Sequence, residues 1–454
     1  MTCAFLHPLG NDDREGFFNV ENYEIIEYMK IALLGYGVEG ESAYKYYSRT
    51  QPGAEFVIYD NADQPKYAIP DGVEFIGGVT DFHNIDADIL VKTPAISPEL
   101  VSPKEKTTSV TREFFDKCPA PIIGVTGTKG KGTTCTLIYE ILKAAGKKVF
   151  LVGNIGNSAL DIIDQVTPDS IVVYELSSFQ LWDLDKSPHI AIVLMVDSEH
   201  LDVHAGLKDY IMAKSNIVSH QHQNDMAIYY SDNETSRLIG ESSPAKKIPF
   251  TVIDSGKIEI NGQDIISRSE VKLIGEHNLQ NIYAAIYAVL HYTQDTEIIA
   301  NVLRTFAGLP HRLAYVGEVG GVQYYDDSIS TTPASTIAAL KAFSQPKVVI
   351  LGGRSKGADF TVLAKFLIGS NNTKVILVGT EAEVIQKSFE QVGFSDFQNL
   401  GSDTNMEQIV KLASEMAQGG DVVLLSPACS SVGMFKNYAD RGDQFIASVK
   451  NLQS

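Results

Sequence analysis

Cysteine is scarce in this chain: Cys3, Cys118, Cys135 and Cys429 are the only four, they lie far apart, and they form no Cys-x-x-Cys pair. That spacing argues against a zinc site or a disulfide framework and for a reducing compartment. Long apolar runs are missing too, none approaching the ~20 residues that a membrane-spanning helix needs. Residues 1–28 offer no basic start followed by an apolar core, since Asp12, Asp13 and Glu15 interrupt them, so a cytoplasmic protein is expected. Met29 directly precedes the first strong strand, which makes residues 1–28 an extension or a misplaced start. Basic residues are in deficit, with 37 Lys and Arg against 56 Asp and Glu and a formal net charge of −19. Such a balance repels nucleic acid and anionic lipid at long range, so neither is an expected partner. An anionic ligand has to be held by local cations and backbone N–H groups, and a small-molecule substrate fits better than a polymer. A monomer is expected.

What is present is enough apolar material, 44% of 454 residues, for two or three ordinary cores. No internal repeat or low-complexity tract stands out. Three alternating α/β units follow one another. The first opens with the apolar run Lys30 to Leu34, turns at Gly35-Tyr36-Gly37-Val38-Glu39-Gly40, and continues into a helix over Glu41 to Tyr47. A second strand, Glu55 to Tyr59, ends at Asp60, roughly 20 residues on, where a nucleotide-binding unit places a ribose-binding acid. The glycine turn either binds a nucleotide or merely packs helix on strand. The second unit has strands at Pro121 to Val125, Lys148 to Val152, Ser170 to Tyr174 and Ile190 to Val196, with a helix over Thr133 to Ala145 stopped by Gly146. The third carries the buried-type strands Val348 to Leu351, Lys374 to Val378 and Asp421 to Leu425. The fold class is α/β, with domains at 1–110, 111–309 and 310–454.

Between the first strand and helix of the second unit lies Gly127-Thr128-Lys129-Gly130-Lys131-Gly132-Thr133. Triphosphate oxygens need many donors at short range; closely spaced glycines let backbone N–H groups turn inward while Lys131 supplies charge. The usual pattern places Ser or Thr directly after that lysine to reach Mg²⁺. Here Gly132 takes that place, so Thr133 is the candidate metal-facing hydroxyl. ATP and Mg²⁺ are the expected cofactors, against the bland alternative of a solvated basic loop.

Taken with Gly153-Asn154-Ile155-Gly156, Glu175-Leu176-Ser177-Ser178-Phe179-Gln180, Glu199-His200-Leu201-Asp202, His277-Asn278, Leu309-Pro310-His311-Arg312 and Ser426-Pro427-Ala428-Cys429, the loop resembles the Mur ligase family from about Lys30 onward, and within it the glutamate-adding branch. The resemblance implies a Rossmann-like first domain for the UDP end of the substrate, a central P-loop ATPase-type parallel sheet, and a Rossmann-like C-terminal domain that delivers the amino acid. It also implies the substrates UDP-N-acetylmuramoyl-L-alanine, glutamate and ATP, and an acyl-phosphate intermediate. Lys131 would grip the phosphates, Thr133 and Glu175 would hold one Mg²⁺, and His200 would help to hold a second. Lys214 matches a lysine that becomes carbamylated in the family, although a bare helix lysine is ordinarily solvated. Asn278 and Asn281 would face adenine, Asp327 the ribose, and Arg312 the terminal phosphate. Gly35, Gly37, Val38, Asn154, Ser177, Gln180 and His200 would meet the muramoyl substrate, unless Glu175 and Gln180 instead cap the turn after their strand. His277 and His311 are equally readable as structural histidines.

Lys356, Thr331, Ser431 and Tyr438 fall where the family binds glutamate, whose side-chain carboxylate needs a cation and hydroxyl donors. Several positions depart from the branch: Ile329 replaces a lysine, Tyr438 a phenylalanine, and Asn61-Ala62 a Thr-Arg pair. The Ile329 surroundings resemble a divergent subgroup that adds L-glutamate, so D-glutamate is the default and not the only reading. The order Lys131-Gly132-Thr133 resembles folylpolyglutamate synthase-like ligases, but Gly35 to Gly40 and Ser426 to Ser431 favour the muramoyl substrate. A nucleotide-binding regulator without turnover is supported only by Ile329 and Gly132, and Glu175, His200, Lys214 and Arg312 oppose it.

Overall fold

The strand Lys30–Leu34 is buried along almost its whole length because neighbours cover both faces of its sheet, as its unbroken apolar run requires. The structure, a computed structural model, describes residues 29–197, 203–253, 255–273, 275–354, 357–370 and 372–452. Residues 1–28, read as an extension, lie outside it. Up to Lys131, and again over 146–251, the chain forms one compact unit; residues 132–145 and 252–454 form a second.

In the first unit Lys30–Leu34 pairs in parallel with Glu55–Tyr59 and Ile89–Lys92, and Glu74–Ile76 and Thr107–Ser109 complete a five-stranded sheet. The helix after the glycine turn is Val38–Thr50, longer at both ends than the sequence pattern indicates. Gly37 caps its start and Glu39 and Glu41 complement the positive end of its dipole. A second sheet, also parallel, runs in the order Lys246–Phe250, Met226–Tyr230, Ile190–Val193, Ile122–Thr126, Ile171–Glu175 and Val149–Gly153. Ile190–Val193 stops before the expected Val196 because the chain turns to line the phosphate loop, with Leu194 N donating to Thr126 O and Thr128 N to Met195 O. Strand order reverses on either side of Ile122–Thr126, which puts a ligand crevice at its C-terminal end.

The second unit holds an antiparallel hairpin, Lys257–Ile260 with Gln263–Ser267, and a six-stranded sheet. That sheet begins with a second hairpin, Ala314–Val319 and Val322–Asp326, which the sequence pattern did not indicate. Its turn is Gly320-Gly321, both at positive φ (59° and 78°), the geometry of a two-residue hairpin loop. The remaining order, Val422–Leu425, Lys347–Gly352, Thr373–Val378 and Phe397–Gly401, is parallel and reverses beside Lys347–Gly352. Apolar cores lie on both faces, one containing Leu351, Leu363 and Phe389 and the other Ile350, Ile409 and Phe445.

Candidate active site

The phosphate loop follows Ile122–Thr126, and Lys131 opens the helix Lys131–Ala144. Gly127 (φ 150°) admits no side chain, since a Cβ there would stand 2.8 Å from that of Leu194. Thr128 Oγ1 shares a 3.0 Å hydrogen bond with Tyr210 Oη and accepts from Asp197 N at 2.8 Å, so this hydroxyl braces the loop. Lys129 is exposed, Gly130 takes φ 88°, and Gly132 and Thr133 are buried in the first helical turn.

A cavity of about 220 Å³ opens beside the loop, lined by Pro94, Lys131, Asn154, Glu175, Ser177, Ser178, Phe179, Tyr210 and Lys214. Five of these were named from sequence: Lys131, Asn154, Glu175, Ser177 and Lys214. Glu175 is the buried last residue of its strand, and Asn154 directly follows Val149–Gly153. Lys214, on the helix Leu207–Ser219, is 1% exposed; its ammonium donates to Gly127 O at 2.9 Å and lies 4.6 Å from the centre of the Tyr210 ring. Lys131 Nζ donates to Gly127 O and Thr128 O, each at 3.0 Å. Tyr210 was missed, although it stands four residues before Lys214 on the same helical face.

Gln180 takes the capping role that its sequence position also permits. Ser177 and Gln180 close a capping box on the short helix Ser178–Leu181. The outer end of the Gln180 amide reaches Glu39 Oε1 at 2.8 Å. At the glycine turn, Gly35 (φ 83°) leaves no room for a Cβ, which would meet Thr93 Oγ1 at 2.3 Å, whereas a Cβ on Gly37 would meet no described atom within 4 Å. Packing alone therefore requires glycine at position 35 and does not require it at 37. Val38 is exposed beside it. Asp60, expected to face a ribose, accepts from Tyr36 N at 2.7 Å and Ala62 N at 2.9 Å, so both carboxylate oxygens brace the turn.

In the second unit, Asp327 is 3% exposed, accepts from Leu313 N at 3.1 Å and Ser426 Oγ at 2.7 Å, and is raised to about 6 chiefly by burial. These bonds tie the end of one strand to the loop that bears Arg312. His311 and Leu313, on either side of Arg312, hold positive φ (59° and 49°), an arrangement maintained by the 2.7 Å contact of His311 Nδ1 with Asp326 Oδ2. His311 is thus structural. Arg312 Nε is buried with no hydrogen-bond partner among the described residues. Asn281 Nδ2 donates to Asn278 Oδ1 at 2.7 Å. Thr331 is exposed, Tyr438 is 43% exposed and Ser431 is buried. The loops after Lys347–Gly352 and Val422–Leu425 meet where strand order reverses, with Arg354 N and Ser430 O at 3.0 Å. Ser431 follows in the second loop. Lys356, His200 and the side chain of His277 lie outside the described residues.

Hard oxygen donors suit Mg²⁺, and the Glu175 carboxylate in the cavity lining is a donor of that class. Among the described residues no cluster of three His, Cys, Asp or Glu side chains forms a metal site by itself. No described helix is long and apolar enough to cross a membrane.

Residues 125–289 match the Mur ligase middle domain, and residues 311–429 match the Mur ligase, glutamate ligase domain. The UDP-N-acetylmuramoylalanine--D-glutamate ligase of Clostridium botulinum (strain Hall) is 33% identical, over 94% of this chain and 98% of its own length. The enzyme of the same description from Clostridium kluyveri is 36% identical, over 84% and 85%. Among solved structures, the UDP-N-acetylmuramate-alanine ligase MurC of Thermotoga maritima superposes with a TM-score of 0.59 at 18% identity, covering 93% of this chain and 100% of that one. MurF ligase of Thermotoga maritima, in complex with ADP, gives 0.59 at 18%, covering 94% and 96%. The three sheets are those of the three-domain Mur ligase fold, and the chain belongs to the Mur ligase family.

Proposed function

We propose that the protein is an ATP-dependent ligase that joins glutamate, by default the D enantiomer, to UDP-N-acetylmuramoyl-L-alanine, as a cytoplasmic step of peptidoglycan precursor synthesis. The observation that carries this reading is the single cavity bringing Lys131, Asn154, Glu175, Ser177 and Lys214 to the phosphate loop. The relatives named for that reaction support it over most of the chain.

A carboxylate is a poor electrophile. In the proposed sequence the alanine carboxylate attacks the γ-phosphorus of ATP and ADP departs. The glutamate amine then attacks the acyl carbon, loses a proton, and phosphate leaves with the former carboxylate oxygen. Lys131, which converges with Lys214 on the loop, supplies positive charge where the transferring oxygens gather negative charge. Glu175 and Thr133 would hold Mg²⁺, with His200 and a carbamylated Lys214 completing the set; the ion would neutralise the phosphate oxygens. Gly35, Gly37, Val38, Asn154, Ser177 and Gln180 would receive the UDP-linked substrate, with Asn278, Asn281, Arg312 and Asp327 serving ATP. Thr331, Lys356, Ser431 and Tyr438 would receive glutamate, in the loops where strand order reverses. Domain limits at 110 and 309 go with this assignment.

Ile329 favours a second reading, addition of L-glutamate, because it and its surroundings resemble a divergent subgroup that adds that enantiomer. Phosphate release should be followed with UDP-N-acetylmuramoyl-L-alanine, each glutamate enantiomer and a folate, every component being omitted in turn. Release that needs the muramoyl substrate and a glutamate supports the proposal. Release with a folate alone as acceptor would sink it.

A further inference from the structure

A side-chain relay joins the glycine turn to the phosphate-loop cavity. Glu39 stands in the first turn of Val38–Thr50, and its Oε1 accepts from Gln180 Nε2 at 2.8 Å. The other end of that amide, Gln180 Oε1, accepts from the backbone N–H and the hydroxyl of Ser177, both at 3.0 Å. A backbone N–H can only donate, so the amide oxygen has to face Ser177 and the amide nitrogen has to face Glu39. The carboxyl oxygen is what completes that orientation. Ser177 Oγ has its proton committed to Gln180 and accepts from Gln180 N at 3.2 Å, so it offers a lone pair to whatever enters the cavity it lines.

An acid is a costly choice for the anchor of this relay. Glu39 Oε2 is buried with no hydrogen-bond partner among the described residues, and the nearby Lys92 is itself paired with Asp183 at 3.2 Å. Burial pushes the Glu39 carboxyl up to about 7, against the opposing effects of Gln180 and Lys92. Much of it is then neutral near pH 7, which relieves the repulsion that a fixed carboxylate beside the glycine turn would exert on an anionic ligand.

We infer that Glu39 is a positioning residue for the UDP-linked substrate, holding Gln180 and through it the orientation in which Ser177 meets that substrate. The inference rests on the proposed function. Its test compares wild type, Glu39→Ala, Glu39→Gln, Gln180→Ala and the double alanine variant, by steady-state kinetics and by calorimetric binding of UDP-N-acetylmuramoyl-L-alanine. Glu39→Ala should raise KM and Kd for that substrate by about tenfold, with KM for ATP and glutamate unchanged. Glu39→Gln keeps an acceptor and should restore both values, and the double variant should be no worse than either single one. An unchanged KM in Glu39→Ala, additive effects, or a common rise in all three KM values with a lowered Tm overturns the inference. Turnover by wild type with an indifferent Glu39→Ala defeats this inference alone. Binding without turnover in wild type defeats the ligase reading, and calorimetry then decides Glu39. A wild type that binds no UDP-linked muramoyl substrate defeats both.

Discussion

Lys131 and Lys214 donate to the same carbonyl oxygen, that of Gly127, at 3.0 and 2.9 Å. Two ammonium groups converging on one acceptor repel each other, and a polyphosphate or a carboxylate in the adjoining cavity relieves that repulsion. The two should nevertheless separate on substitution. Lys131→Ala loses a charge-assisted contact to phosphate and should weaken ATP binding by about 10- to 100-fold. Lys214→Ala should leave ATP affinity within about threefold and lower kcat by at least about 100-fold. Calorimetry with ATP beside steady-state turnover distinguishes them, and equal losses of ATP affinity would contradict the division of roles.

Gly35 and Gly37 make opposite predictions from one turn. Gly35→Ala places a Cβ against Thr93 Oγ1 at a φ of 83° and should destabilise the fold by about 1–3 kcal/mol, read as a lowered Tm. Gly37→Ala meets no described atom and should keep its Tm while weakening the UDP-linked substrate. If the two variants lose Tm equally, Gly37 is structural.

Asp327 makes stability depend on pH. Its carboxyl is raised by burial from 3.8 to about 6, although Ser330, Ser426, the Leu313 N–H and Arg312 oppose the rise. Between those values the folded protein holds a proton that the unfolded chain has released, so stability falls as pH rises through this window. The loss is complete above it, at no more than about 3 kcal/mol. Asp327→Asn can still accept from Leu313 N and should gain on wild type between pH 4 and pH 8 in thermal unfolding. A Tm difference that stays constant across this range would contradict the effect.

Much of the cavity could be read from short motifs because each sits where strand meets loop or loop meets helix. Lys131, Asn154, Glu175 and Ser177 are all of this kind, though only Lys131 stood on its own loop chemistry; Asn154, Glu175, Ser177 and the helix lysine Lys214 took their roles from the resemblance. Glu39 could not be read in this way. Its partner Gln180 is 141 residues distant, and an acid in a first helical turn looks like dipole compensation. Asp60 and Asp327 carry contacts that spacing could not reveal: Asp60 accepts from Tyr36 N and Ala62 N, and Asp327 accepts from Leu313 N and from Ser426 Oγ, 99 residues on. The hairpin from Ala314 to Asp326 was missed because its strands alternate weakly, although Gly320-Gly321 marks the turn.

The most direct test of the ligase reading follows the oxygen atoms. UDP-N-acetylmuramoyl-L-alanine labelled with ¹⁸O in the alanine carboxylate is turned over with ATP, Mg²⁺ and glutamate, and the released phosphate is weighed by mass spectrometry. An acyl phosphate transfers a carboxylate oxygen to phosphorus, so the account predicts ¹⁸O in the phosphate in step with amide formation. Amide formed while the phosphate carries no label would contradict it.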